Sequence, residues 1–140
     1  MSDPAIATAP APEAAEKAKA RVMVIDDSQT IRRTAETLLV KEGYAVITAS
    51  DGYEALGKIV DHQPNVIFID IMMPRLDGYQ VCALIKGNPR FSATPVVMLS
   101  SKDGVFDRAR GRIVGSDQYL TKPFTKDEIL AAVKSHMKAG

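Results

Sequence analysis

From Arg21 onward the chain alternates short apolar runs with longer amphipathic segments, and it does so five times. Short runs of β-branched and aliphatic residues suit strands buried on both faces. Segments with apolar residues at three- and four-residue spacing suit helices with one buried stripe. The alternation is the pattern of βα units, which pack as a parallel sheet with helices on both faces. Strands are predicted at residues 21–25, 45–49, 66–69, 96–99 and 118–120. Two strand orders are common for such doubly wound sheets, the Rossmann and the flavodoxin-like, and the alternation fits either.

The segments between the strands carry their own punctuation. Ser28 is placed to cap the first helix, with Ile31, Ala35, Leu38 and Leu39 on the buried face and Gly43 as the stop. The second helix is predicted at 52–61, and the third at 78–86 with Val81, Leu84 and Ile85 inward. Thr125-Lys126-Asp127-Glu128 is a capping box opening the last helix, whose inward residues include Ile129, Leu130 and Val133. The fourth segment, 105–114, contains Gly111, which costs about 1 kcal/mol inside a helix relative to alanine, so a short or mobile helix is expected there.

A length of 140 residues with 46% hydrophobic content suits one domain with a real core. Its 18 basic and 17 acidic residues nearly cancel, which favours neither nucleic acid nor an anionic membrane as a partner. The one cysteine, Cys82, excludes an internal disulfide framework, suits a reducing cytosol and reads as a buried small hydrophobe. Residues 1–20, with Pro4, Pro10 and Pro12 among alanines, read as a flexible tail that is transiently helical at most over 13–20. They lack the continuous apolar core of a secretory signal. No apolar run is long enough to span a membrane. A cytoplasmic domain at 21–140 is the expectation.

Polar residues at the strand ends carry the chemistry. Ligands of an open parallel sheet bind outside the carboxyl ends of its strands. The first strand there runs into Asp26-Asp27-Ser28 where a dinucleotide site would have glycines, and the third runs into Asp70. Three nearby carboxylates repel one another unless a cation intervenes, and magnesium takes oxygen ligands of this kind. A carboxylate can also attack phosphorus, which gives Asp70 a possible covalent role. Ser100 after the fourth strand and Lys122 after the fifth could stabilise a phosphoryl group opposite the metal.

Each signal alone has an ordinary explanation. Asp-Asp-Ser is a common turn into a helix cap, Asp70 before Met72-Met73-Pro74 could be a turn residue, and Ser100 and Lys122 could be loop and surface positions. Tyr119 could be simple packing. His62 and His136 read as surface residues without metal-ligand spacing. Arg108, Arg110 and Arg112 read first as a solvated helix face, and second as a surface for an acidic partner. The combination, one polar residue at each of four strand ends with a proline directly after the lysine, is what turn chemistry does not explain.

Taken together, Val24-Ile25-Asp26-Asp27-Ser28, Ile69-Asp70-Ile71-Met72-Met73-Pro74 with Asp77-Gly78, Met98-Leu99-Ser100-Ser101, and Tyr119-Leu120-Thr121-Lys122-Pro123-Phe124 resemble the receiver domain of two-component response regulators. The segments at 31–39 and 115–120 resemble, more narrowly, the single-domain receivers of type IV pilus twitching motility. The resemblance implies a flavodoxin-like (βα)5 fold with strand order 2-1-3-4-5. It implies that Asp70 accepts phosphate from a histidine kinase, and that Asp27, Asp70 and the Met72 carbonyl ligate Mg2+, with Asp26 acting directly or through water. Lys122 would contact the phosphoryl group, Ser100 would move to hydrogen-bond it, and Tyr119 would turn inward. The surface of the fourth helix, fifth strand and fifth helix would then be remodelled for a motility or pilus protein. A cis Lys122-Pro123 bond is also implied.

The short stretch after Phe124 is expected to leave no room for a DNA-binding or catalytic output domain. A phosphorylation switch is therefore the expected class, not an enzyme. A phosphorelay intermediate uses the same site and stays open. An aspartyl-phosphate phosphatase is disfavoured because Met72 stands where such enzymes carry a second aspartate. Met72 offers no hydrogen bond to orient a hydrolytic water, so slow self-dephosphorylation is expected.

Overall fold

The computed structural model describes residues 20–101 and 106–137. Five strands, β1 (Arg21–Ile25), β2 (Ala45–Ala49), β3 (Val66–Asp70), β4 (Val96–Ser101) and β5 (Gln118–Lys122), form one parallel sheet in the order 2-1-3-4-5. The flavodoxin-like order is therefore the one adopted. Five helices alternate with the strands: α1 (Gln29–Lys41), α2 (Gly52–His62), α3 (Gly78–Lys86), α4 (Arg108–Val114) and α5 (Lys126–His136).

Successive side chains of a strand point to opposite faces, and the core divides accordingly. Val22, Val24, Val66, Phe68, Val97 and Leu99 pack with Ala35 and Leu39 of α1 and with Ile129 and Val133 of α5. Met23, Ile25, Ile67, Ile69, Val96 and Met98 pack with Ala55 and Ile59 of α2 and with Val81, Cys82 and Ile85 of α3. Ser28 caps α1 by accepting from the Ile31 amide, and Gly43 takes the left-handed φ of 94° that ends it. The capping box at Thr125 and Glu128 is formed, and Asp77 with Gln80 makes a second one at α3.

Several expectations need correction. The strands β3, β4 and β5 run further than their apolar runs, so Asp70, Ser100 and Lys122 lie on strand ends and not beyond them. Leu84 is 52% exposed, because the buried arc of α3 is centred on Val81, Cys82 and Ile85 and leaves Leu84 past its edge. Ile31 and Leu38 are only half buried. His62 is the last residue of α2 and, like His136, is half buried; His136 shares a hydrogen bond of 2.9 Å with Gln118. The short α4 starts at Arg108, and Val105 lies outside the described residues, as does the tail up to residue 19. Ala20 is buried, and its carbonyl accepts from the Ala45 amide.

Candidate functional site

Asp26, Asp70 and Lys122 share one strand parity, that of Val24, Phe68 and Leu120, so they stand on the same side at the carboxyl ends of β1, β3 and β5. Lys122 Nζ lies 3.0 Å from Asp26 Oδ2 and 3.3 Å from Asp70 Oδ1. Asp26 is fully buried and fixed by its surroundings. Its Oδ1 accepts from the Ser28 amide at 2.9 Å, and its carbonyl accepts from Arg32 Nη1 at 2.7 Å. Asp27 is exposed. The bond before Pro123 is cis, as the resemblance implies.

The loop after Asp70 is held tightly. The Met72 amide donates to Asp70 Oδ1 at 3.1 Å, and the Ile71 amide extends the ladder to the Leu99 carbonyl. Gly78 opens α3 against this loop, where a Cβ would stand 2.5 Å from the Asp70 carbonyl oxygen. Only glycine permits that approach. The Met72 side chain points to solvent and is 68% exposed.

One carboxylate oxygen from each of Asp26, Asp27 and Asp70 lies within 4.8 Å of the others, which suits a divalent cation with oxygen ligands. Three carboxylates face one ammonium, so the ionised site carries excess negative charge. Burial, then the neighbouring Asp26 carboxylate, pushes the Asp70 carboxyl up to about 6, against the opposing pull of the Met72 amide and Lys122. Burial opposes the Lys122 charge, but the hydrogen bond and charge of Asp26, with those of Asp70, outweigh it and raise its pKa.

Ser100 and Tyr119 occupy the other parity, on the side of α3 and α4. Ser100 is buried, and its hydroxyl donates to the Ser101 carbonyl at a long 3.4 Å. Tyr119 is half buried. Its ring stacks on Phe106 with centroids 4.4 Å apart, and its hydroxyl accepts from Arg108 Nη2 at 2.8 Å. The α4 arginines form an exposed face, as read, and two of the three also contact tyrosines. Arg110 lies 4.3 Å above the Tyr79 ring and 3.5 Å from Asp77. Cys82 is a buried hydrophobe whose thiol is pushed up to about 11, chiefly by burial.

Sequence reasoning missed Arg32, Phe106 and Tyr79. A cation four residues after the Ser28 cap was a legible hint for Arg32, but the aromatic pairings join distant segments and left no local signal.

The chain matches the response regulator receiver domain over residues 22–134. It is 73% identical to protein PilG of Pseudomonas aeruginosa over 117 residues, covering 84% of this chain and 87% of PilG. It is 42% identical to the probable transcriptional regulator ycf27 of Guillardia theta, covering 86% of this chain and 46% of that protein. The chain spans about half the length of such ycf27 relatives. Among solved structures it resembles the Vibrio cholerae chemotaxis protein CheY4 at a TM-score of 0.79 and 32% identity, covering 84% of this chain and 98% of that one. The receiver domain of Francisella response regulator 1452 matches at a TM-score of 0.77 and 36% identity, over 86% and 98% of the two chains. The chain belongs to the response regulator receiver domain family, the signalling switches of two-component systems.

Proposed function

We propose that this protein is a phosphorylation switch whose acceptor is Asp70. The observation that carries the reading is the convergence of Asp26, Asp70 and Lys122 within 3.3 Å contacts from three strands. An Asp70 carboxylate oxygen attacks the phosphorus of a phosphohistidine on a histidine kinase. The new P–O bond forms as the P–N bond breaks, and the imidazole leaves with the electron pair and takes up a proton. Lys122, already beside Asp70, neutralises charge on the transferred group. Asp26, Asp27, Asp70 and the Met72 carbonyl would hold Mg2+, which when bound supplies charge stabilisation to the phosphoryl oxygens.

Ser100, buried on the adjacent strand with only a long hydrogen bond, is free to turn toward the phosphoryl group. Tyr119 follows inward, and the α4–β5–α5 surface changes shape for a downstream partner. The 73% identity to PilG supports a cytoplasmic role in type IV pilus twitching motility or a chemotaxis-like response, exercised through protein contacts. A receiver domain beginning at residue 21 is part of the same proposal. Met72, with its thioether in solvent, supplies no acid or base and argues against a phosphatase.

The test is incubation with a small phosphodonor and magnesium, followed by intact mass. Wild type is expected to gain one phosphoryl group, with no gain when the metal is chelated beforehand, and Asp70→Asn to gain none. Equal labelling of both proteins would overturn the assignment.

A further inference from the structure

The contact between Arg108 and Tyr119 is unusual for its place in the fold. Arg108 is the first residue of α4, where the helix dipole disfavours a cation; the acid at this helix end is the N-cap Asp107, whose carboxylate is taken up by the Arg110 amide. Among the described residues no carboxylate pairs with it. Its Nη2 instead donates to the Tyr119 hydroxyl at 2.8 Å, and its guanidinium carbon lies 5.5 Å from the Tyr119 ring centroid. A residue that breaks a local preference without a local gain is serving something else.

That something is the position of Tyr119. The ring is held on two sides, by the Arg108 guanidinium and by Phe106, which stacks in turn on Tyr79 at 6.0 Å. Tyr79 is anchored, because its hydroxyl accepts from the Asp107 amide at 2.9 Å and Arg110 covers its ring. The Phe106 side of the clamp is therefore fixed to α3, while Arg108 is exposed and can swing away. Releasing Tyr119 toward Ser100, which lies on the same face of the sheet, breaks the charge-assisted hydrogen bond to Arg108 as well as shifting the ring against Phe106.

We propose that Arg108 is a latch: a positioning residue that holds Tyr119 in its resting place and so sets how readily the switch is thrown. The inference rests on the role proposed for Tyr119. If the labelled form requires the turned ring, removing the latch enlarges the competent population and raises the labelling rate in proportion.

The first measurement is the initial rate of labelling by acetyl phosphate with magnesium, by intact mass. Arg108→Ala is expected to raise it about three- to tenfold, the scale of an ordinary net hydrogen bond, as suits an exposed contact. Arg108→Lys, which keeps a cation and a donor, is expected to fall between. In a Tyr119→Phe background the hydroxyl is already gone, so Arg108→Ala should change the rate little. No rise in the single variant, or an equal rise in both backgrounds, would overturn the latch.

The second measurement needs no phosphodonor. With 3-fluorotyrosine incorporated, the fluorine resonance of Tyr119, assigned by its loss in Tyr119→Phe, is expected to shift or broaden in Arg108→Ala. An unmoved resonance contradicts the latch. Equal labelling of Asp70→Asn would sink the acceptor assignment instead, and the fluorine spectrum would still decide the fate of Arg108.

Discussion

At the scale of single residues, the site stores electrostatic cost. Asp70 has a pKa raised from its ordinary 3.8 to about 6, so the folded protein keeps a proton that the unfolded chain releases over that interval. Stability of the metal-free protein therefore falls as pH climbs from about 4 to about 6, and the penalty is complete above it. Asp70→Asn removes the penalty. It is expected to raise the melting temperature at pH 7.5, by up to about 3 kcal/mol of stability, and to bring no gain at pH 3.5. Thermal melts across that range check it, and a gain independent of pH would contradict an electrostatic origin. Lys122→Ala should act in the opposite direction. It leaves two buried carboxylates without their counter-charge, at a cost of about 3 kcal/mol at pH 7.5. Magnesium should raise the melting temperature of wild type more than that of Asp70→Asn.

At the scale of elements, α4 shows where helix propensity and packing disagree. Propensity alone says that Gly111→Ala stabilises by about 1 kcal/mol. A Cβ at Gly111 would stand 2.5 Å from Phe106 Cζ and 3.0 Å from Ser116 Oγ, so the packing predicts loss. Destabilisation of about 1–3 kcal/mol is expected in chemical denaturation, and a more stable variant would show that Phe106 yields freely. The sequence marked Gly111 only as a weakness, because its neighbour Phe106 meets it through the fold. Strand cores and the capping boxes at Thr125 and Asp77 were open to reading, since apolar runs and capping spacings are local. Strand ends were under-read for a related reason. An apolar criterion stops at Asp70, Ser100 and Thr121, while the backbone ladder continues through the Ile71 amide to Leu99. The candidate acids and lysine were visible as polar strand ends, yet the Lys122–Asp26 pair joins residues 96 positions apart and could come only from the sheet order. Leu84 misled because one turn of apolar spacing does not fix the centre of a buried arc.

At the scale of the molecule, the proposed function would divide charge handling from signal display between two sides of the sheet. Asp26, Asp70 and Lys122 lie on the α1–α5 parity, while Ser100 and Tyr119 lie on the α3–α4 parity, so a phosphoryl group between them can be felt on both faces. On the proposed function, the lifetime of the signal would depend on access of water. With the Met72 side chain exposed and unable to orient a nucleophile, Met72→Asn is expected to speed phosphate release about tenfold, as read by phosphate assay on the labelled protein. An unchanged rate would show that Met72 does not govern hydrolysis. The central claim, that Asp70 carries the phosphoryl group, is tested most directly by borohydride reduction of the labelled protein, which converts an aspartyl phosphate to homoserine. Peptide sequencing is expected to find homoserine at position 70 alone, and homoserine at Asp26 or Asp27 with Asp70 intact would contradict it.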